Sequence, residues 1–190
     1  MARIKICGLR REEDVDYVNE LKPDYIGFIL SDGFRRSITR QQAIQLKARL
    51  SPDITAVGVF VDESEEYINS FIKDGIIDIA QLHGTEPPEL AGGINAPVIK
   101  YFNPSAFGRI SEYDTDYFLF DSGTGSGKGF DWTAIPHTDK PFFLAGGINE
   151  DNIKNAIEQI NPYCIDLSSA VETDGFKDYN KIKKIMECVR

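Results

Sequence analysis

Hydrophobic positions along this chain fall into short runs rich in β-branched and aromatic residues. In order they are "RIKIC" (3–7), "YIGFIL" (25–30), "TAVGVFV" (55–61), "IDIAQL" (77–82), "PVIKYF" (97–102), "YFLF" (117–120), "PFFLA" (141–145) and "YCIDL" (163–167). The runs recur at roughly 20–30-residue intervals, the spacing of strand-plus-crossover units. Helix-period stretches separate them. "REEDVDYVNEL" places Val15, Val18 and Leu21 on one face, and "TRQQAIQLKARL" opens on Thr39, an N-cap residue, and carries Ala43, Leu46 and Leu50. "DESEEYINSFIKDG" aligns Tyr67, Ile68, Phe71 and Ile72 and stops at Gly75. "NEDNIKNAIEQI" reads as a helix capped by Asn149 with Ile153, Ile157 and Ile160 inward, and "YNKIKKIMECV" closes the chain. After the fourth, fifth and sixth runs, "TEPPELAGGI", "NPSAFGRI" and "DWTAI" predict one or two turns at most.

Strands alternating with helices imply a parallel α/β sheet, because parallel neighbours need a crossover. Eight units predict a closed (β/α)8 TIM barrel, a single domain over residues 1–190 with shortened helices after strands 4 to 6. The competing arrangement is an open doubly wound sheet. The chain is short beside the ~250 residues typical of such barrels, and the trimmed helices account for the difference.

Composition narrows the partners. A formal net charge of -9 argues against nucleic acid and anionic membranes, which need clustered positive charge. Cys7, Cys164 and Cys188 are widely spaced, odd in number and without a CxxC pair, as expected of a reduced, cytoplasmic chain. Two histidines, His83 and His137, exclude a histidine-rich metal site. The N-terminus lacks a signal-peptide apolar core, and no apolar run approaches the ~20 residues that span a bilayer. A soluble protein is expected.

In a barrel of this kind the active site lies at the C-terminal strand ends. There the chain has Cys7-Gly8, Gln81-Leu82-His83-Gly84, Asp121, Ala145-Gly146-Gly147, and Asp166 followed by Ser168-Ser169. The glycine-rich "DSGTGSGKGFDW" (121–132) is not a P-loop: the first glycine of G-x-x-x-x-G-K-[ST] is Ser122, and the hydroxyl position is Gly129. It reads instead as Asp121 at a strand end followed by a flexible lid. The segments "LAGGINEDN" and "DLSSAVE", the second opening a short extra helix at Ser169, suit phosphate better, since loops after strands 7 and 8 commonly hold it.

Cys7 shares a strand face with Lys5 and Arg3, an unusual place for a filler thiol, and a nearby cation favours the reactive thiolate. Asp121 ends an almost wholly apolar strand, either capping a loop or serving as a general acid. An acid and a base with no metal or cofactor motif suggest proton transfer on a phosphorylated metabolite. Arg35 and Arg36, after strand 2, suit a carboxylate partner. His83 reads as a structural histidine and Trp132 as packing. Glu172 and Asp178 are assigned no chemistry.

"KICGL", "VGVFV", "QLHG", "FDSGTGSGKGFDW", "LAGGI" and "DLSSAVE...GFKD" stand in one order from Lys5 to Asp178, and together they resemble phosphoribosylanthranilate isomerase, an enzyme of tryptophan biosynthesis. The resemblance implies a (β/α)8 barrel, no cofactor and no metal, a small-molecule phosphosugar substrate, and an Amadori rearrangement. It implies Asp121 as general acid and Cys7 as general base. It places Arg36 on the anthranilate carboxylate, Asp166 near the ribose hydroxyls, and Gly146, Gly147, Ser168 and Ser169 around the phosphate. "SDGFRRSIT" lacks the family's proline-tyrosine pattern, so Arg35 stands beside Arg36 as a candidate, and Ala170 replaces an expected glycine. Two other readings compete: a different metal-free phosphosugar isomerase or epimerase on a related barrel, and a non-catalytic phosphate-ligand binding barrel. Both a monomer and a homodimer fit the sequence, and Lys128 has no assigned role.

Overall fold

A computed structural model describes residues 2–121 and 131–189. Eight parallel strands close a barrel in chain order: β1 (Arg3–Cys7), β2 (Tyr25–Ile29), β3 (Thr55–Phe60), β4 (Ile79–Leu82), β5 (Val98–Phe102), β6 (Tyr117–Phe120), β7 (Phe142–Leu144) and β8 (Cys164–Leu167). β8 pairs with β1 through Lys5 opposite Asp166, and β1 with β2 through Cys7 opposite Gly27. The closed barrel, rather than the open sheet, is therefore the outcome of the eight units.

The crossovers are α1 (Glu12–Leu21), α2 (Arg40–Arg49), α3 (Glu65–Lys73), α4 (Pro88–Gly92), 3-10 helices over Pro104–Glu112 and Trp132–Ala134, α5 (Ile153–Ile160) and α6 (Tyr179–Val189). Thr39 caps α2 in a reciprocal box with Gln42, and Ser64 caps α3 through the Tyr67 amide. Gly75, at φ +67°, follows α3 where a side chain is disfavoured. The helices after β4 to β6 are short as expected, although the nine-residue 3-10 segment after β5 is longer than the one or two turns its sequence suggested. Asn149 does not cap α5. It opens a preceding turn, its amide donating to Asn152 Oδ1 at 2.9 Å, and the helix starts at Ile153.

Strand parity divides the core. Ile4 and Ile6 pack outward with Val15, Val18 and the other helix faces, while Tyr25, Val57, Ile79, Ile99, Leu119 and Phe143 fill the interior. At the N-terminal end an aromatic plug closes the barrel: the hydroxyls of Tyr25 and Tyr163 lie 2.9 Å apart, and the Arg3 guanidinium sits 4.3 Å from the Tyr163 ring centroid. At the other end the described residues leave the barrel open.

A hairpin absent from the sequence reading follows β8. A 3-10 turn (Ser169–Val171) leads into β9 (Glu172–Thr173) and β10 (Phe176–Lys177), joined by Asp174 and Gly175, both at positive φ. Arg10 ties this hairpin to the β2–α2 loop, donating to the carbonyls of Gly175 and Arg35.

Candidate active site

The open end holds a cavity of about 740 Å³, ample for a phosphosugar bearing an aromatic ring. Cys7, Asp121, Arg36 and Asp166 all line it, as do Gly146, Gly147, Ser168 and Ser169, so residues from five strand ends converge on one space. The segment read from sequence as a glycine-rich lid, with Lys128, lies outside the described residues.

Cys7 ends β1, and the chain turns away at Gly8, φ +85°. Two glycines make room here. A Cβ at Gly27 would sit 2.6 Å from Cys7 Sγ, and one at Gly8 would sit 2.5 Å from Arg36 Cδ. Thiol and guanidinium stem thus occupy space that only glycines leave free. The expected thiolate bias is not met. Burial pushes the Cys7 thiol above its ordinary value, and the opposing pull of Lys5 does not overcome it.

Lys5, two residues before Cys7 on the same face, is fully buried. Its ammonium donates to Asp166 Oδ2 at 2.7 Å and Gln81 Oε1 at 2.6 Å. Burial is the largest single influence and opposes its charge, but Asp166 together with Cys7 and Cys164 outweighs it and the net shift is upward. The other Asp166 oxygen, Oδ1, is buried with no hydrogen-bond partner among the described residues. That acceptor, in the cavity wall, suits a ligand hydroxyl.

Arg36 is engaged by Glu172, with Nε 2.6 Å from Oε1 and Nη2 2.8 Å from Oε2. Arg35 adds a third contact to Glu172 at 2.7 Å and Lys177 a fourth at 2.8 Å. Burial alone would raise the Glu172 carboxyl, but Arg36 and Lys177 hold it down at about 2. The two arginines differ in setting: Arg36 is 17% exposed against Gly8, whereas Arg35 is 60% exposed at the rim. Glu172 was given no role from sequence, and the structure corrects this: it organises the cations of the mouth. Asp178, also given none, accepts from Thr173 Oγ1 and the Asn180 amide, a cap at the start of α6.

Gly146 and Gly147 both adopt positive φ, +83° and +71°. Asn152 holds the turn by donating to the Gly147 carbonyl at 2.9 Å. α5 starts only at Ile153, beyond the Gly146–Gly147 turn, and that turn lines the cavity. Ser168 precedes the short extra helix expected at Ser169 and donates its hydroxyl to the Cys7 carbonyl at 3.0 Å, locking β8 to β1. Asp121 follows β6, its amide donating to the Phe102 carbonyl. Among the described residues no three His, Cys, Asp or Glu side chains gather into a metal-binding group.

The family model for N-(5'-phosphoribosyl)anthranilate (PRA) isomerase matches residues 4–188. The N-(5'-phosphoribosyl)anthranilate isomerase of Endomicrobium trichonymphae is 43% identical over 199 residues, covering 100% of this chain and 99% of the relative. The crystal structure of phosphoribosylanthranilate isomerase from Thermotoga maritima superposes with a TM-score of 0.89 at 35% identity, covering 99% of this chain and 98% of that one. A phosphoribosylanthranilate isomerase in complex with reduced 1-(o-carboxyphenylamino)-1-deoxyribulose 5-phosphate superposes at 0.83 with 30% identity, covering 98% and 97%. The chain belongs to the phosphoribosylanthranilate isomerase family, barrel enzymes that carry out the Amadori rearrangement in tryptophan biosynthesis.

Proposed function

We propose that this barrel rearranges N-(5'-phosphoribosyl)anthranilate to 1-(2-carboxyphenylamino)-1-deoxyribulose 5-phosphate with Asp121 as general acid and Cys7 as general base. Asp121 gives its proton to the ribose ring oxygen as the C1'–O bond breaks and the anthranilate nitrogen lone pair forms an iminium. Cys7 thiolate then takes the C2' proton. The released electron pair forms C1'=C2', and the iminium pair returns to nitrogen. The resulting enaminol gains a proton at C1' and loses one from its 2'-hydroxyl to become the ketone. One proton is given by Asp121 and one taken by Cys7, so the pair must exchange protons with water or each other to reset.

The observation that carries this reading is the placement of Cys7 and Asp121 at the ends of β1 and β6, facing one cavity three strands apart around the ring. Cys7 is a buried thiol raised by desolvation, so its thiolate is a strong base once formed, and Lys5 and Lys177 reduce the cost of forming it. Arg36 receives the anthranilate carboxylate. Of its five N–H donors two are used by Glu172, leaving three. Its low exposure beside Cys7 favours it over Arg35. Asp166 Oδ1 accepts from a ribose hydroxyl, and the turns at Gly146-Gly147 and Ser168-Ser169 take the phosphate.

The test follows the fluorescent substrate, generated in place from anthranilate and phosphoribosyl pyrophosphate by a purified transferase. Turnover that collapses in both Cys7→Ala and Asp121→Asn supports the assignment. Turnover that survives either change removes that residue from the chemistry.

A further inference from the structure

We propose that His83 contacts the substrate as a neutral hydrogen-bond donor, its Nε2–H meeting an oxygen of the sugar, and that Lys5 and Gln81 are positioning residues that hold it in that tautomer. The inference deepens the function proposed above and rests on it.

An ammonium can only donate. Lys5 Nζ lies 2.6 Å from a Gln81 side-chain atom, which must therefore be the amide oxygen. The Gln81 NH2 then points the other way, 2.8 Å from His83 Nδ1. An amide nitrogen can only donate, so Nδ1 accepts and the ring proton resides on Nε2. Asp166 anchors the start of this chain by accepting a hydrogen bond from another Lys5 N–H, and Gln81 is itself buried. The orientation of the imidazole thus originates in an ion pair across the β1–β8 seam.

The ring is also fixed in place. The His83 backbone amide donates to the Phe60 carbonyl at 2.7 Å, and the imidazole stacks on Tyr101, centroids 4.1 Å apart and planes 13° from parallel. Burial first, then the charges of Lys5 and Lys100, hold the imidazole down to about 3, so it does not ionise in neutral water. Among the described residues Nε2 has no hydrogen-bond partner, while the ring lines the cavity. What His83 offers an occupant is one N–H.

The chemistry of the substrate says what takes it. The carboxylate has Arg36 and the phosphate has the glycine and serine turns, which leaves the sugar oxygens. A hydroxyl and the ketone it becomes both accept from N–H, so the donor serves both ends of the reaction. A group that stays neutral neither competes with Cys7 for the C2' proton nor surrenders its own.

Two experiments decide the matter. Long-range proton–nitrogen spectra of the free enzyme read the His83 tautomer directly, with His137 as the one other imidazole to assign. We expect a protonated Nε2 and a bare Nδ1 throughout the neutral range. An imidazolium or an Nδ1–H tautomer overturns the proposal, whatever the variants do. Kinetics come second. His83→Ala lowers kcat on the order of 10²-fold with a smaller change in KM, and His83→Gln, which keeps an N–H donor, recovers part of the loss. Gln81→Glu puts a carboxylate beside Nδ1, draws a proton onto it, and lowers kcat while the spectrum shows the change. His83→Ala with kcat within about twofold of wild type overturns the substrate contact. An inactive wild type with the expected tautomer sinks the isomerase reading itself, and the substrate contact with it, while leaving the Lys5–Gln81–His83 geometry standing.

Discussion

Glu172 grips Arg36 through both carboxylate oxygens, at 2.6 and 2.8 Å, from 136 residues further along the chain. The guanidinium proposed to receive the substrate carboxylate is therefore already oriented by one of the protein's own. With Arg35 and Lys177 on the same group, three cations share one anion. The mouth of an acidic protein is thereby made locally positive where an anionic substrate enters.

Removing that anion should affect binding more than chemistry. Glu172→Gln keeps the shape but weakens the hold on Arg36, and we expect KM to rise about tenfold or more with a smaller fall in kcat. Steady-state kinetics check it. An unchanged KM would mean that Arg36 needs no help to meet the substrate.

The same carboxyl predicts a feature of acid stability. Its folded value, about 2, lies below the ordinary range, so the folded state holds it ionised when the unfolded chain would bind a proton. Its contribution is complete above the ordinary carboxylate value and is lost as pH falls towards about 2. Denaturant midpoints measured over that window should fall less steeply for Glu172→Gln than for wild type.

Gly27→Ala tests the space around the thiol. The new Cβ would lie 2.6 Å from Cys7 Sγ, so the sulfur or the strand must shift. A displacement of about 1 Å at a reacting group costs on the order of 10²-fold. We expect kcat to drop by that order in a variant whose circular dichroism is native. Retained activity would place Sγ away from the reacting carbon.

Lys5→Met leaves Asp166 as a buried anion without its cation. Breaking a buried pair from one side costs about 3–5 kcal/mol, and urea unfolding should register a loss of that size. Adding Asp166→Asn should return part of it, since the pair is then removed whole. A double-mutant cycle with no coupling would contradict the 2.7 Å contact.

Cys7 alkylation as a function of pH should show a half-point above that of an ordinary thiol, because burial outweighs the nearby cation. Asp166→Asn should lower it, since that carboxylate opposes the thiolate.

Local pattern carried the architecture. All eight strands lie where the apolar runs do, and Thr39 and Gly75 mark helix ends through chemistry that acts within a few residues. Asn149 misled because an Asn three residues later, Asn152, competes for the same turn. The β9–β10 hairpin left no periodic signal, its strands being two residues each. Glu172 looked like loop charge because its partners Arg35 and Arg36 come from another loop.

The sequence by itself determined the strand count, the crossovers, and which residues stand at the strand ends, because period and capping are properties of neighbouring residues. Tertiary structure alone decided the charge state and orientation of those residues. Lys5 meets Asp166 across 161 positions and Gln81 across 76, and only barrel closure brings them within hydrogen-bond reach. Burial then set the direction of the Cys7 and His83 shifts, and burial depends on how the whole chain packs around each group.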